Sequence, residues 1–303
     1  MAANSAQIKN LLVPGLYKVA GQYDRYPKEW DKIFTTVKST LQTETAVQTR
    51  ILGLAQLKVE GGATAFDNNM GQRFTWNATA NEIALGYAIT LRAIEDNQYT
   101  KDFNMMNLKL IDSFAQFKEI QGANILNNGF TYDPTVGGDG VALFSTAHPY
   151  DNGTWANTFS TQLDLNESSL LQAFINIGST FVDEAGLRVN AKGTKVIVPP
   201  ALEPVIARLM RAELRPGTAN NDPNVIPMMS SGTDKYMVYH YLTSNYAWYV
   251  KTDKEGLHYF DRIAYDQDMW VDNTTDNVLT KGRERYTFSY RDPRAIWGSA
   301  PTA

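Results

Sequence analysis

Near Glu95 the spacing of apolar residues along this chain changes from a period of two to a period of three or four. From Glu82 to Leu91, the residues Ile83, Leu85, Tyr87, Ile89 and Leu91 alternate with Glu82, Ala84, Gly86, Ala88 and Thr90. That alternation predicts a half-buried strand, because successive side chains of a strand point to opposite faces. The stretch Tyr99 to Asn128, YTKDFNMMNLKLIDSFAQFKEIQGANILNN, places Phe103, Met106, Leu110, Phe114, Phe117 and Ile120 three or four apart. This predicts one long helix with a single apolar stripe. At 1.5 Å per residue it spans about 40 Å, long for a helix in a domain of this size, so it needs partners along its length.

Other elements follow from the same rules. YPKEWDKIFTTVKS, from Tyr26, predicts a short helix with Trp30, Ile33, Phe34 and Val37 on one face and Pro27 in its first turn. Residues 50–91 read as strand, loop, strand, a long hairpin with Gly61, Gly62, Asn68, Asn69 and Gly71 supplying its turns. Its tip, with Asp67, Asn68, Asn69, Arg73 and Trp76, is too polar for a core, so the hairpin lies against something, another surface or its own domain. Leu165 to Gly186 predicts a second helix N-capped by Asn166, with Leu170, Leu171, Phe174, Ile177 and Phe181 on its inner face. Lys195 to Val198 predicts a strand ended by Pro199 and Pro200, and Leu202 to Leu214 a third amphipathic helix. Pro216 to Asp234 is a long turn-rich loop. Tyr236–Leu242 and Tyr246–Val250 read as paired strands, followed by a last sheet from Leu257–Ile263 and Glu284–Tyr290. Residues 1 to about 27 read as an arm: Leu11, Leu12, Val13, Leu16 and Tyr17 want a surface on another subunit or on the chain's own domain.

Composition narrows the class. The 303 residues are 43% hydrophobic, enough for a sizeable core, and the formal charge of −4 excludes a broad basic surface for nucleic acid. No cysteine is present, which removes disulfides, thiolate metal sites and cysteine nucleophiles and suits a reducing compartment. The N-terminus lacks the long apolar run of a signal peptide, and no stretch reads as a membrane span.

Candidate chemistry is thin. His148, His240 and His258 have no ligand spacing, so no metal site is expected. Ser145 and His148 in FSTAHP invite a nucleophile reading, but there is no GxSxG elbow, and a turn in which Ser145 or Thr146 bonds local backbone is the better account. The glycines of VGGDG, residues 136–140, lack the lysine and leading strand of a phosphate loop. Asp261, Asp266, Asp268 and Asp272 are interrupted by Tyr265, Met269 and Trp270 and read as a wet strand edge. No catalytic, cofactor or metal residue is assigned, and the chain is not expected to be an enzyme.

Taken together, the segments resemble a known family. The order YPKEWDKIF, EGGATAFDNNMGQRF, IALGYAITLRAIEDNQY, a long helix ending in ANILNNGF, and DGVALFSTAHP, with Asn157, Leu163 and Leu165 behind it and VPPALE from Val198 to Glu203, resembles the major capsid proteins of tailed bacteriophages. The nearest group is the Mu-like major head subunits, which have the Hong Kong 97-type fold. The resemblance implies an α+β chain with an N-arm and its helix at 1–50, an E-loop hairpin at 51–91 and a peripheral domain with a spine helix at 92–186. It also implies an axial domain at 187–255 and a return to the peripheral domain at 256–303. It implies self-assembly as pentamers and hexamers into an icosahedral head around double-stranded DNA, held without sequence specificity, in a virion assembled in the bacterial host cytoplasm. Scaffold, portal and decoration proteins are candidate partners, and no membrane is. The E-loop of this family lies over the neighbouring subunit, which makes Lys58, Glu60, Asp67, Arg73, Trp76, Arg92, Glu95 and Asp96 candidate intersubunit contacts. The alternatives are an encapsulin-like compartment shell and a soluble hydrolase using Ser145 and His148.

Overall fold

The structure is a computed structural model and describes residues 26–50, 52–67, 71–90, 92, 99–214, 223–272 and 274–302; in the first helix the side chains are described from Met105 onward. The expected N-terminal arm and the start of the loop after Leu214 lie outside these residues. In chain order the strands are β1 (Thr35–Lys38), β2 (Thr43–Thr49), β3 (Gln72–Thr79), β4 (Asn81–Ile89), β5 (Gly137–Gly138), β6 (His148–Tyr150) and β7 (Gly153–Trp155). They continue with β8 (Gly193–Val198), β9 (Tyr236–Val238), β10 (Trp248–Thr252), β11 (Leu257–Val271), β12 (Val278–Tyr290) and β13 (Ile296–Ser299). The helices are α1 (Tyr99–Asn127), α2 (Glu167–Thr180), α3 (Glu203–Arg211) and α4 (Ile226–Met229). Two compact units share the chain: the first takes residues up to Thr43, Thr79–Gly122 and Tyr259–Phe288, and the second takes the rest.

In the first unit the sheet order is β1-β11-β12-β4, with β4 on an edge and antiparallel to β12, Ile89 opposite Val278 and Asn81 opposite Tyr286. The period-two stretch is therefore a strand, as its alternation requires. The long helix also forms, but its buried stripe is rotated from the expected one. Leu110 and Phe114 of the expected stripe are buried, joined by Ile111 and Ala115, whereas Met106, Phe117 and Ile120 are exposed. Both faces of α1 are apolar, and spacing alone does not tell which one meets the sheet. The buried face does so through Phe114, whose ring centroid is 5.1 Å from that of Tyr265, and a side chain at Gly282 would strike both rings. One turn on, Lys118 Nζ lies 2.8 Å from Glu284 Oε2 and sits over the rings of Tyr286 and Tyr259 at 4.7 and 5.4 Å. Burial, aided by the Glu284 carboxylate, holds the phenols of Tyr259 and Tyr286 well above their ordinary range.

The predicted helix from Tyr26 is replaced by a short 3-10 turn at Trp30–Lys32 followed by β1. Of the four residues expected on the buried face, Trp30, Ile33 and Phe34 pack inside, with Trp30 against Tyr259 and Phe288, while Val37 is only partly buried in β1. What fails is the helix beyond them, because β-branched Thr35, Thr36 and Val37 join a strand at the sheet edge. The Glu119 carboxylate on α1 accepts from the N–H groups of Glu29 and Trp30 at 2.7 and 3.1 Å, which ties the turn down.

The second unit is built on the sheet β13-β10-β8-β9, in which β10 is antiparallel to β8 and β13, and β8 is parallel to β9. The expected pairing of the segments at 236–242 and 246–250 does not occur, because β8 lies between them. A parallel pair needs a crossover, and α3 and α4 supply it between β8 and β9. Val196, Ile197 and Val198 of β8 are all fully buried, the continuous apolar run of a central strand rather than an alternation. On it pack Leu170, Phe174 and Ile177 of α2, Ile206 and Met210 of α3, and the rings of Trp248 and Trp297. Asn166 caps α2 as its position predicts: its side chain accepts from Ser169 N–H at 2.9 Å, and Ser169 Oγ accepts from Asn166 N–H at 3.0 Å.

Candidate functional site

The strands that flank the long loop are β2 and β3, which neighbour each other in a small sheet completed by β5. Residues 52–67 between them carry no ladder among the described residues, and this differs from the expected hairpin of strands at 51–62 and 82–91. The arm is nevertheless shaped. Arg50 N–H donates to Gly71 O at 3.0 Å at its root, Gly53 N–H donates to Asp67 Oδ2 at 3.0 Å across it, and Gly62 N–H donates to Val59 O at 2.9 Å at its tip. Among the described residues nothing covers its apolar side chains: Leu54 is 76% exposed, Val59 79% and Phe66 83%. Exposed apolar residues scattered singly are ordinary, but a run of them on one extended segment marks a contact surface.

The candidate contact residues fall into three groups. Lys58, Glu60 and Arg92 are exposed, and Asp67 is exposed while bonding within the arm. Glu95 and Asp96 lie outside the described residues. Arg73 and Trp76 are spent inside their own chain, which corrects the expectation of an exposed hairpin tip. Arg73 is ion-paired to Asp151 at 2.8 Å, and Trp76 is only 3% exposed. The Trp76 ring covers β5, where Gly138 has φ +90 and no room for a Cβ, which would come within 2.3 Å of the indole nitrogen. Strand alternation puts Phe74 and Trp76 on the same side, but only the glycine pair at 137–138 makes a seat for the ring.

Below the arm lies an arrangement that spacing could not signal, since its members are far apart in sequence. Arg50 and Arg73, one at each root of the arm, both pair with the Asp151 carboxylate. Arg73 also donates to Glu184 O at 3.0 Å, Gln48 of β2 donates to Glu184 Oε1, and Arg294 Nη2 lies 3.0 Å from the same oxygen.

The serine–histidine pair is structural. Ser145 Oγ accepts from Ala147 N–H at 3.1 Å, the turn that its neighbours predict. The His148 ring is fully buried and stacked on Trp155, with Nδ1 2.6 Å from Asp139 Oδ2 and Nε2 3.1 Å from Asn157 Oδ1. The Asn157 amide nitrogen donates to the carbonyls of Leu143, Pro293 and Ile296, so its oxygen is the acceptor facing the ring. Both ring nitrogens are thus engaged, and neither is available to serve Ser145 as a base.

Comparison with known proteins bears on what such a chain does. The family described as phage capsid protein matches residues 77–299. The fold is similar to three solved particles: the procapsid of bacteriophage JBD30 (12% identity, TM-score 0.53, 99% of this chain and 77% of that one), Microbacterium phage Oxtober96 (12%, 0.54, 91% and 93%) and the capsid of the native GTA particle (11%, 0.54, 92% and 92%). No curated protein matches the sequence. No described helix is long and apolar enough to cross a membrane.

Proposed function

The chain belongs to the phage capsid protein family, and from that membership we propose that its copies close into an icosahedral head as pentamers and hexamers, the arm 52–67 of each copy lying over the next. The protein is a major capsid subunit with the Hong Kong 97-type fold, structural rather than enzymatic, and its place is the virion. The observation that carries the arm's role is its extended run of uncovered Leu54, Leu57, Val59 and Phe66. A segment with no ladder among the described residues gains its burial from a second copy, and a contact between an arm and a different surface repeats head to tail around a ring. Lys58, Glu60 and Asp67 are the exposed charges that meet the neighbour, each such pair contributing about 0 to 1 kcal/mol at a rim. Many weak contacts, each repeated, give a stable shell that still corrects errors as it closes.

In this reading residues 51–91 are the E-loop, 92–186 and 256–303 the peripheral domain, and 187–255 the axial domain. The shell assembles in the host cytoplasm and encloses double-stranded DNA, with scaffold, portal and decoration proteins as partners. A chain of net charge −4 suits a wall that contains DNA without gripping it.

The test is electron microscopy and light scattering of the expressed chain, beside a variant with residues 54–66 replaced by a glycine–serine linker. Closed shells from the intact chain and folded, unassembled subunits from the variant are expected. Closed shells without the arm would overturn its role, and a persistent monomer of the intact chain would overturn the shell. Particles free of nucleic acid when made inside a phage-producing cell would favour the compartment alternative.

A further inference from the structure

Two arginines that bracket the arm converge on one carboxylate, and that carboxylate sits at the turn between β6 and β7 in the second unit. Asp151 follows β6, and its N–H donates to Glu184 O at 3.1 Å. Glu184 is itself buried and held by Arg294, whose Nε donates to Val182 O at 2.7 Å and whose guanidinium lies 5.1 Å from the centre of the Trp155 ring. On the other side stand Arg50, just past the end of β2, and Arg73, near the start of β3. The chain's entry into the arm and its exit are bolted to the same acidic residue, and Gln48 adds a third tie to Glu184. The bolt is half-buried, with side-chain exposures of 25% for Arg50, 17% for Arg73 and 21% for Asp151, so it is weakened less by salt than a surface pair. Without the carboxylate, two guanidinium groups would face each other across the root.

We propose that Asp151 is a positioning residue for assembly: through Arg50 and Arg73 it fixes the direction in which the arm leaves its own subunit, and so the angle at which one copy meets the next. This rests on the arm's being given to a neighbour. An arm free to swing still finds a neighbour, but at a spread of angles, and a spread of angles does not close into shells of one size. Directional, charge-assisted bonds suit this task better than apolar contacts, which slide.

The experiment uses the full chain with Asp151→Asn, which keeps shape and removes charge, and with the exchanged pair Arg73→Asp and Asp151→Arg. Amide hydrogen exchange of residues 48–50 and 71–75 is read on unassembled subunits, and particle size on assembled ones. Asp151→Asn is expected to speed exchange at the root roughly ten- to hundredfold, as loss of two charged hydrogen bonds implies, while exchange in β8 and β10 stays as in the wild type. Its particles are expected to be open or mixed in size. The exchanged pair is expected to regain part of both, a rescue that a lost packing contact would not give. Unchanged root exchange in Asp151→Asn, fast exchange with particles of wild-type size, or an exchanged pair that regains neither would overturn the proposal. Failure of the wild type itself to form shells would instead fell the assembly reading, and the two failures are distinct.

Discussion

Lys118→Met is a severe test of how the first unit is held together. The lysine side chain is 8% exposed and Glu284 is 1% exposed, with 2.8 Å between their charged atoms. Removing one member of such a pair leaves a desolvated charge behind, which costs about 3 to 5 kcal/mol. The ammonium also lies over two tyrosine rings, contacts worth about 0.5 to 2 kcal/mol each when desolvated. Because these terms overlap, a loss of about 4 kcal/mol is expected, a large share of the stability of an ordinary domain. Replacing both partners, Lys118→Met with Glu284→Leu, removes the buried charges together and is expected to return to within about 1 kcal/mol of the wild type or to exceed it. The measurement is equilibrium urea unfolding of unassembled subunits followed by tryptophan fluorescence, to which Trp30, 4.4 Å from Tyr259, contributes from inside the same cluster. A single variant within about 1 kcal/mol of the wild type, or a double variant as unstable as the single, would refute the account of this pair as a mutually dependent buried unit.

Three further outcomes follow from described geometry. Asn157→Asp sets a carboxylate against the carbonyls of Leu143, Pro293 and Ile296 and should cost about 3 kcal/mol or more, seen as a fall in melting temperature or in soluble yield, whereas Ser145→Ala, losing one turn bond, should cost about 1 kcal/mol and leave shell formation intact. The phenols of Tyr259 and Tyr286 have folded pKa values raised above the unfolded value of about 10, so their contribution is complete below pH 10 and is lost as pH rises through the folded values; these two alone should lower stability by about 3 kcal/mol per pH unit above pH 10, and a flat profile in urea unfolding there would contradict their burial.

Much of the fold is legible in the sequence because local physics decides it. The Ile83–Ile89 alternation, the length of α1 and the Asn166 cap with its Ser169 partner each depend on residues a few positions apart. What was not legible depends on distant partners. The turn at Trp30 looks helical until β11 offers Thr35–Lys38 an edge to join. The two apolar faces of α1 are equivalent in spacing, and only Tyr265 and Gly282, more than 140 positions away, choose between them. Parallel pairing of β8 with β9 overrides the simpler hairpin because α3 needs the crossover to bury Ile206 and Met210. The exposure of Lys58 and Glu60 could be read from their place on the loop, but the convergence of Arg50 and Arg73 on Asp151 could not. Nothing near Asp151 in sequence marks it.

The uncovered arm also has a meaning for the subunit before it meets another copy. A newly made chain carries Leu52, Leu54, Leu57, Val59 and Phe66 in water, the composition of a sticky β segment. Lys58 and Glu60 interleave with Leu57 and Val59, and Gly61 and Gly62 follow at once, so the apolar run from Ile51 is stopped by charge and glycine after Leu57. The two charges that we propose meet the neighbour in the shell thus also break up the apolar pattern of the free arm. Replacing them with threonine and valine would trade ordered closure for precipitation.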